Sequence, residues 1–290
     1  MLTRVSYRMR RHRHVPRALA LIAVVALSQP AQAQEQIHRG VLASPSVSLR
    51  IFVPSGSVRV AVWSRDSVDV RGTVGASASV FGGGNRDYVK FGVEPVRTGD
   101  TRMAAADWVV TVPRRAHVWV KMTAGAIEAD GTEGEVELYA VGGSIQVRRA
   151  SGTTSVESID ASVVISSCSG DIRVRGGKAA LTLRDVVGTA SITSVSGRVE
   201  VRGASAPESR IETIGGDILI DVVRLRGAAL DLQTHSGNIT AVVDAATPPR
   251  LDLASRTGAV VNTARGGTVA QGKITVRTFR GGITVRLRQP

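Results

Sequence analysis

The sequence predicts an all-β protein, a parallel single-stranded β-solenoid (β-roll or β-helix) with about nine residues in each strand-and-turn unit. A small residue, then aliphatic residues two and four places later, recurs without a gap from Gly125 to Gly197. The units are Gly125-Ile127-Ala129, Gly134-Val136-Leu138, Gly143-Ile145-Val147, Gly152-Thr154-Val156, Ala161-Val163-Ile165, Gly170-Ile172-Val174, Ala179-Leu181-Leu183, Gly188-Ala190-Ile192 and Gly197-Val199-Val201. The second observation is the alternation inside each unit. Residues two apart on a strand share a face, so each aliphatic pair points into a core and the residues between point to solvent. The leading Gly suits a sharp corner. Two units per coil put one strand in each of two sheets, three units make a three-sided coil, and the period admits both.

From the N-terminus, Arg4, Arg8, Arg10, Arg11, Arg13 and Arg17 precede an apolar run from Ala18 to Leu27 and then Ala31-Gln32-Ala33. Residues 1–33 therefore read as a secretory signal cleaved after Ala33, and no membrane span is expected beyond it. Residues 34–122 read as N-terminal strands of the same solenoid. Val47-Leu49-Ile51-Val53, Val58-Val60-Val62 and Val68-Val70 alternate as strands do, with turns at Pro54-Ser55-Gly56 and Arg65-Asp66. Gly75 to Gly84, rich in Gly, Ala and Ser, is expected to be a mobile surface loop. Strands resume at Tyr88 to Val96, Trp108 to Val112 and Val118-Val120-Met122. Residues 123–290 form the repeat solenoid. After Gly203 its units lengthen, and strands beyond Gly272 are expected to close the far end, with Arg277, Arg280, Arg286 and Arg288 discouraging end-to-end stacking.

Composition narrows the function classes. The formal charge of the whole chain is +13, and the signal removes six arginines and no acid. Aromatic residues make up 3% of the chain, too few for a base-stacking surface, and with export this argues against nucleic acid. Cys168 is the only cysteine. It falls seven places after Ala161, in a small apolar slot filled elsewhere by Val141, Ile159, Val186 and Val195, and reads as a buried, inert thiol.

Chemistry-bearing motifs are sparse. Calcium-binding β-rolls need an Asp in every turn, whereas Val147-Arg148-Arg149 and Val174-Arg175-Gly176 stand where it would be, so no metal site is expected. Asp171 and Asp217 read as turn caps. Asp231, His235 and Ser236 are neighbours along strand and turn, an arrangement that does not build a triad. No cofactor motif is present. One outward column is distinctive: in a two-sided coil Asp130, Arg148, Ser166, Arg184 and Arg202 stack on one sheet. Arg148, Arg184 and Arg202 are the candidate binding face, with envelope polysaccharide, an anionic lipid surface or another envelope protein as candidate partners.

The corners Ser169-Gly170-Asp171-Ile172, Gly215-Gly216-Asp217-Ile218, Ser196-Gly197-Arg198-Val199, Ser236-Gly237-Asn238-Ile239 and Gly142-Gly143-Ser144-Ile145 resemble the S-G-D-I repeats of the bacterial "putative adhesin" family of unknown function. The resemblance runs from about Val47 to Leu287. It implies an exported parallel β-solenoid, similar in plan to the head domains of bacterial surface adhesins. With the signal, a repeat over most of the chain and no catalytic set, the expected role is a non-enzymatic adhesin or scaffold of the periplasm, outer envelope or cell surface. A polysaccharide-active β-helix enzyme and a self-assembling filament protein are the alternatives.

Overall fold

The computed structural model describes residues 34–97, 103–203, 208–223, 228–243, 249–264 and 272–288, and every regular element among them is a strand. The expected signal segment lies outside the described residues. Ahead of the strict repeats come β1 (Glu35–Leu42), β2 (Ser48–Trp63), β3 (Ser67–Val74), β4 (Ala78–Gly84), β5 (Tyr88–Pro95) and β6 (Ala105–Pro113). Then follow β7 (His117–Asp130), β8 (Glu135–Arg148), β9 (Ser151–Ser166), β10 (Ser169–Gly176), β11 (Leu181–Arg184), β12 (Val187–Ser194) and β13 (Val199–Arg202). The remainder are β14 (Glu208–Thr213), β15 (Ile218–Val223), β16 (Ala228–Thr234), β17 (Ile239–Val243), β18 (Arg250–Ser255), β19 (Val260–Asn262), β20 (Gly272–Thr278) and β21 (Ile283–Leu287).

The strands pair into two ladders, and β2, β7, β8 and β9 turn a corner to contribute to both. The first ladder runs β4, β5, β2, β7, β8, β9, β10, β12, β14, β16, β20, β18. The second runs β1, β3, β6, β2, β7, β8, β9, β11, β13, β15, β17, β21, β19. Ile127, Ile145, Val163, Leu181 and Val199 pair in succession, each eighteen residues after the last, which is the offset of a coil with one strand in each ladder. Their side chains are at most 1% exposed, and removing such a residue from water is worth roughly 1.5–3 kcal/mol. Coils stack at ~4.8 Å.

The two corners of the coil are built differently. At one, Gly131, Arg149, Ser167, Asp185 and Gly203 share a left-handed backbone, with φ between 50 and 75°. A non-Gly residue there costs roughly 1–2 kcal/mol. It is offset by an N–H that reaches the next coil, as from Arg149 to Ser166 O at 3.1 Å and from Ser167 to Arg184 O at 2.9 Å. The following residues, Thr132, Ala150, Cys168 and Val186, turn inward and are buried.

At the other corner an inward hydroxyl stands three places before a small residue. The Gly216 N–H donates to Thr213 Oγ1 at 2.8 Å and the Gly237 N–H to Thr234 Oγ1 at 3.1 Å. Thr234 Oγ1 in turn donates to Gly216 O at 3.2 Å, and Thr278 Oγ1 to Gly237 O at 3.2 Å. This buried column of Ser and Thr ties each coil to the one before it. Gly143, at the same corner, has φ +104°, and a Cβ there would lie 1.9 Å from Gly125 O.

Three expectations are corrected. Gly75 to Gly84 is no free loop: Ala78–Gly84 is β4, antiparallel to β5. Its glycines allow close approach instead of mobility, since a Cβ on Gly82 would stand 2.3 Å from Lys90 O and one on Gly84 2.1 Å from Tyr88 O, while Gly92 on the facing β5 leaves room for the Phe81 ring, 2.2 Å from where its Cβ would be. The seventh slot of the repeat is apolar for two different reasons. Cys168 and Val186 are 1% exposed, whereas Ile159 and Val195, on the hydroxyl corner, are 49% and 50% exposed. There the inward place is already taken by Ser158 or Ser194, which pushes the next residue out.

The third correction concerns the far end, which the C-terminal strands do not close. β20 and β21 insert between β16/β17 and β18/β19, so the outermost coil is β18 and β19. Arg277 and Arg286 are therefore internal to the stack. The N-terminal end is also out of order: β2 pairs directly with β7, and β3 to β6 are laid outside it, with antiparallel pairings at β1–β3, β3–β6 and β4–β5.

Candidate functional site

The outer face of the second ladder carries the predicted column. Asp130 pairs with Arg148, Arg148 with Ser166, Ser166 with Arg184, Arg184 with Arg202 and Arg202 with Asp221. Each is the last outward residue before the left-handed corner, which is why all recur at one level. The three arginines differ electrostatically. Arg148 lies 3.7 Å from Glu128 and 3.9 Å from Asp130, and Arg202 pairs with Glu200. Arg184 has no carboxylate partner among the described residues. Exposed pairs of this kind are worth about 0–1 kcal/mol and give way readily to a stronger anionic ligand.

Followed toward the N-terminal end, the same row reaches a cleft that sequence reasoning missed. Asp69 on β3 pairs with Thr111 on β6, which pairs with Ala61 on β2. Around Asp69 and Thr111, the residues Trp63, Arg65, Arg71 and Val109 enclose about 480 Å³. The Trp63 indole N–H donates to Ser67 O at 2.8 Å, and the Arg65 guanidinium lies 5.2 Å over its ring. Asp69 is only 8% exposed. His38 Nε2–H donates to its Oδ1 and Arg71 Nε–H to its Oδ2, both at 2.6 Å, which satisfies the buried carboxylate. The terminal nitrogens of Arg71 keep their donors free of protein partners among the described residues.

A second hollow of about 190 Å³ adjoins the first, shares Val109 and extends over Ser57, Arg59, Asp107 and Glu128. Ser57 Oγ donates to Asp107 at 2.7 Å and Arg59 Nε–H to Glu128 at 2.8 Å. Together the hollows and the arginine column make one shallow track across the strands. An apolar floor at Val109, an aromatic at Trp63 and guanidiniums at Arg65 and Arg71 suit a ligand with carboxylate, sulfate or phosphate groups on a partly apolar frame. One signal in the sequence was readable: alternation along Ser67-Val68-Asp69-Val70-Arg71 places Ser67, Asp69 and Arg71 on one outward face.

Other singled-out residues do not converge. Asp231 accepts from Gln233, while the His235 ring stacks on Phe279 at a centroid distance of 5.0 Å, so the two serve different neighbours. Asp217 does cap a backbone, accepting from Asn238 N–H at 2.8 Å, whereas Asp171 accepts from Thr189 Oγ1 and pairs with Arg173. Cys168 is buried, its thiol lies 3.2 Å from Ser166 O, and burial pushes its pKa up, as an inert thiol requires. Among the described residues no group of three or more His, Cys, Asp or Glu is placed to hold a metal ion, and no helix is long and apolar enough to cross a membrane.

Residues 101–260 match the model of the Toastrack DUF4097 family. The chain belongs to that family. No curated protein matches it. Three solved structures are similar to this Toastrack chain at low identity, each match covering 88% of it. They are a "putative cell adhesion protein" from Clostridium sporogenes ATCC 15579, 8% identical, covered over 100% of its length, with a TM-score of 0.25; a "putative adhesin" from Bacteroides fragilis NCTC 9343, 10% identical, covered over 98%, with a TM-score of 0.38; and a "putative lipid binding protein" from Parabacteroides distasonis ATCC 8503, 11% identical, covered over 97%, with a TM-score of 0.36.

Proposed function

We propose that this Toastrack protein is an exported, non-enzymatic protein of the cell envelope or surface that acts as adhesin or scaffold. It holds an acidic envelope polysaccharide along the outer face of its second ladder. The observation that carries the reading is the single row that joins the Trp63 cleft to Arg148, Arg184 and Arg202 without leaving one sheet face. Thr111 and Arg202 are six strands apart, ~29 Å at the ladder spacing, long enough for several sugar units in register with successive strands. Arginines set at strand spacing grip a polymer through many weak contacts, and multivalency makes up for the low worth of each. Export is supported by the basic segment, apolar run and Ala31-Gln32-Ala33 at the N-terminus.

The test is binding of the protein without residues 1–33 to acidic envelope glycans at physiological salt. Arg65→Ala with Arg71→Lys, which keeps a cation beside Asp69 but removes the guanidinium fork, and separately Arg148→Ala with Arg184→Ala, should each weaken binding several-fold while leaving the melting temperature within a few degrees. Equal binding by wild type and both double variants would refute this assignment of the face. Turnover of a polysaccharide, abolished by substituting one acidic residue or histidine, would refute the non-enzymatic part. Recovery from native cells solely as a free soluble protein would refute the envelope role.

A further inference from the structure

The hydroxyl corner carries a second surface, along the long edge of the solenoid opposite the arginine column. The residue just after each inward Ser or Thr is thrust outward, and backbone hydrogen bonds set these residues in a column. Ile214 N–H donates to Ser194 O, His235 N–H to Thr213 O, Phe279 N–H to Thr234 O and Arg256 N–H to Thr278 O. The column therefore reads Val195, Ile214, His235, Phe279, Arg256 in stacking order. Val195 and Ile214 are 50% and 60% exposed, high for aliphatic side chains in neighbouring coils.

The far half of this ridge is basic. His235 stacks on Phe279 at 5.0 Å, the Arg256 guanidinium lies 4.9 Å and that of Arg280 5.8 Å from the same ring, spacings that follow from coils ~4.8 Å apart. Lys178 on the adjoining coil is also exposed. The nearby acids are already engaged: Glu212 with Arg210 at 2.5 Å and Asp217 with Arg198 at 3.7 Å. Glu157 and Asp160 lie at the other end, beside Ile159. No carboxylate of a described residue is within ion-pair distance of Arg256, Arg280 or Lys178.

We propose that this ridge docks on a lipid bilayer bearing anionic headgroups, with Val195, Ile214 and the edge of Phe279 entering the interface and Lys178, Arg256 and Arg280 meeting the phosphates. Three features select a bilayer over other occupants. The surface is a convex edge, which offers a glycan no groove. Both faces of Phe279 are covered, by His235 and by guanidinium, so the ring has no free face on which a sugar or base could stack, and only its edge remains for apolar contact. Apolar side chains beside cations without acidic partners match the layered chemistry of an interface, acyl chains below and phosphates around them. The proposal is independent of the polysaccharide reading and, with it, lets the molecule stand on a membrane by one edge while the other faces a polymer.

The experiment is sedimentation of the protein lacking residues 1–33 with vesicles of phosphatidylcholine containing phosphatidylglycerol, against vesicles of phosphatidylcholine alone. Binding to the anionic vesicles is expected, with little to the neutral ones. Arg256→Gln with Arg280→Gln should weaken it by more than about tenfold, since each basic residue near an anionic surface contributes on the order of a fivefold factor. Val195→Ser with Ile214→Ser should weaken it at high salt as well, because the apolar contribution is not screened. All four positions are at the surface, and unchanged urea midpoints verify folding. Arg148→Ala with Arg184→Ala should leave vesicle binding intact, which separates this surface from the polysaccharide face. Failure of wild type to bind anionic vesicles, or equal binding by the ridge variants, would overturn the proposal.

Discussion

Replacing Thr234 by Val tests what holds successive coils together. The two side chains have nearly the same volume, so apolar packing is kept and only the hydroxyl is lost. In the structure that hydroxyl accepts from the Gly237 N–H at 3.1 Å and donates to Gly216 O at 3.2 Å, both bonds buried. Each is worth ~1 kcal/mol net, and leaving the Gly237 N–H buried without an acceptor adds ~1–3 kcal/mol. The expected loss is therefore ~3–5 kcal/mol. Thr234→Ser keeps the hydroxyl and loses one methyl, which costs ~1 kcal/mol. Urea unfolding of the three proteins, followed by circular dichroism at constant m-value, gives the comparison. Ser should stand closer to wild type than Val. A Val variant as stable as wild type would show that apolar stacking alone holds the corner and that the hydroxyl column is incidental.

Two further outcomes follow from the register and from the buried thiol. Ile172→Asp should lower stability by several kcal/mol, because its carboxylate would enter the core without a partner, whereas Arg173→Asp on the solvent side should change it little; equal melting temperatures would contradict the inward and outward assignment. Cys168 should resist a thiol reagent at mildly alkaline pH in the native protein and react once urea unfolds it. Burial raises the folded pKa, so the neutral thiol's contribution is complete below the unfolded pKa, about 8.5, and is lost as pH rises through the raised folded value. Stability plotted against pH should therefore fall more steeply on the alkaline side for wild type than for Cys168→Ala; parallel curves would contradict the burial argument.

What the amino-acid sequence determined by itself is the strand, its period and the inward facing of the second and fourth places of each unit between Gly125 and Gly197. Those follow from spacings of two and nine residues, which are local and need no knowledge of partners. It offered Arg148, Arg184 and Arg202 as one column only if a coil has two strands, and the pairing of residues eighteen apart is what selects that coil over a three-sided one. Only the tertiary structure decided which coil lies against which at the two ends. Leu230-Leu232, Leu251-Leu253 and Ile274-Val276 present nearly the same apolar pair, so any of them can stack on any other, and chain order alone does not show that β20 slides between β16 and β18. The Trp63 cleft was hidden for the same reason. Asp69 and Val109 lie on β3 and β6, strands laid outside β2 through an antiparallel pairing, and no local period encodes that meeting. At the Gly-rich segment a string of small residues reads as freedom, yet the missing side chains of Gly82 and Gly84 are the room that the paired backbone of β5 requires, and Gly92 on β5 makes room for the Phe81 ring.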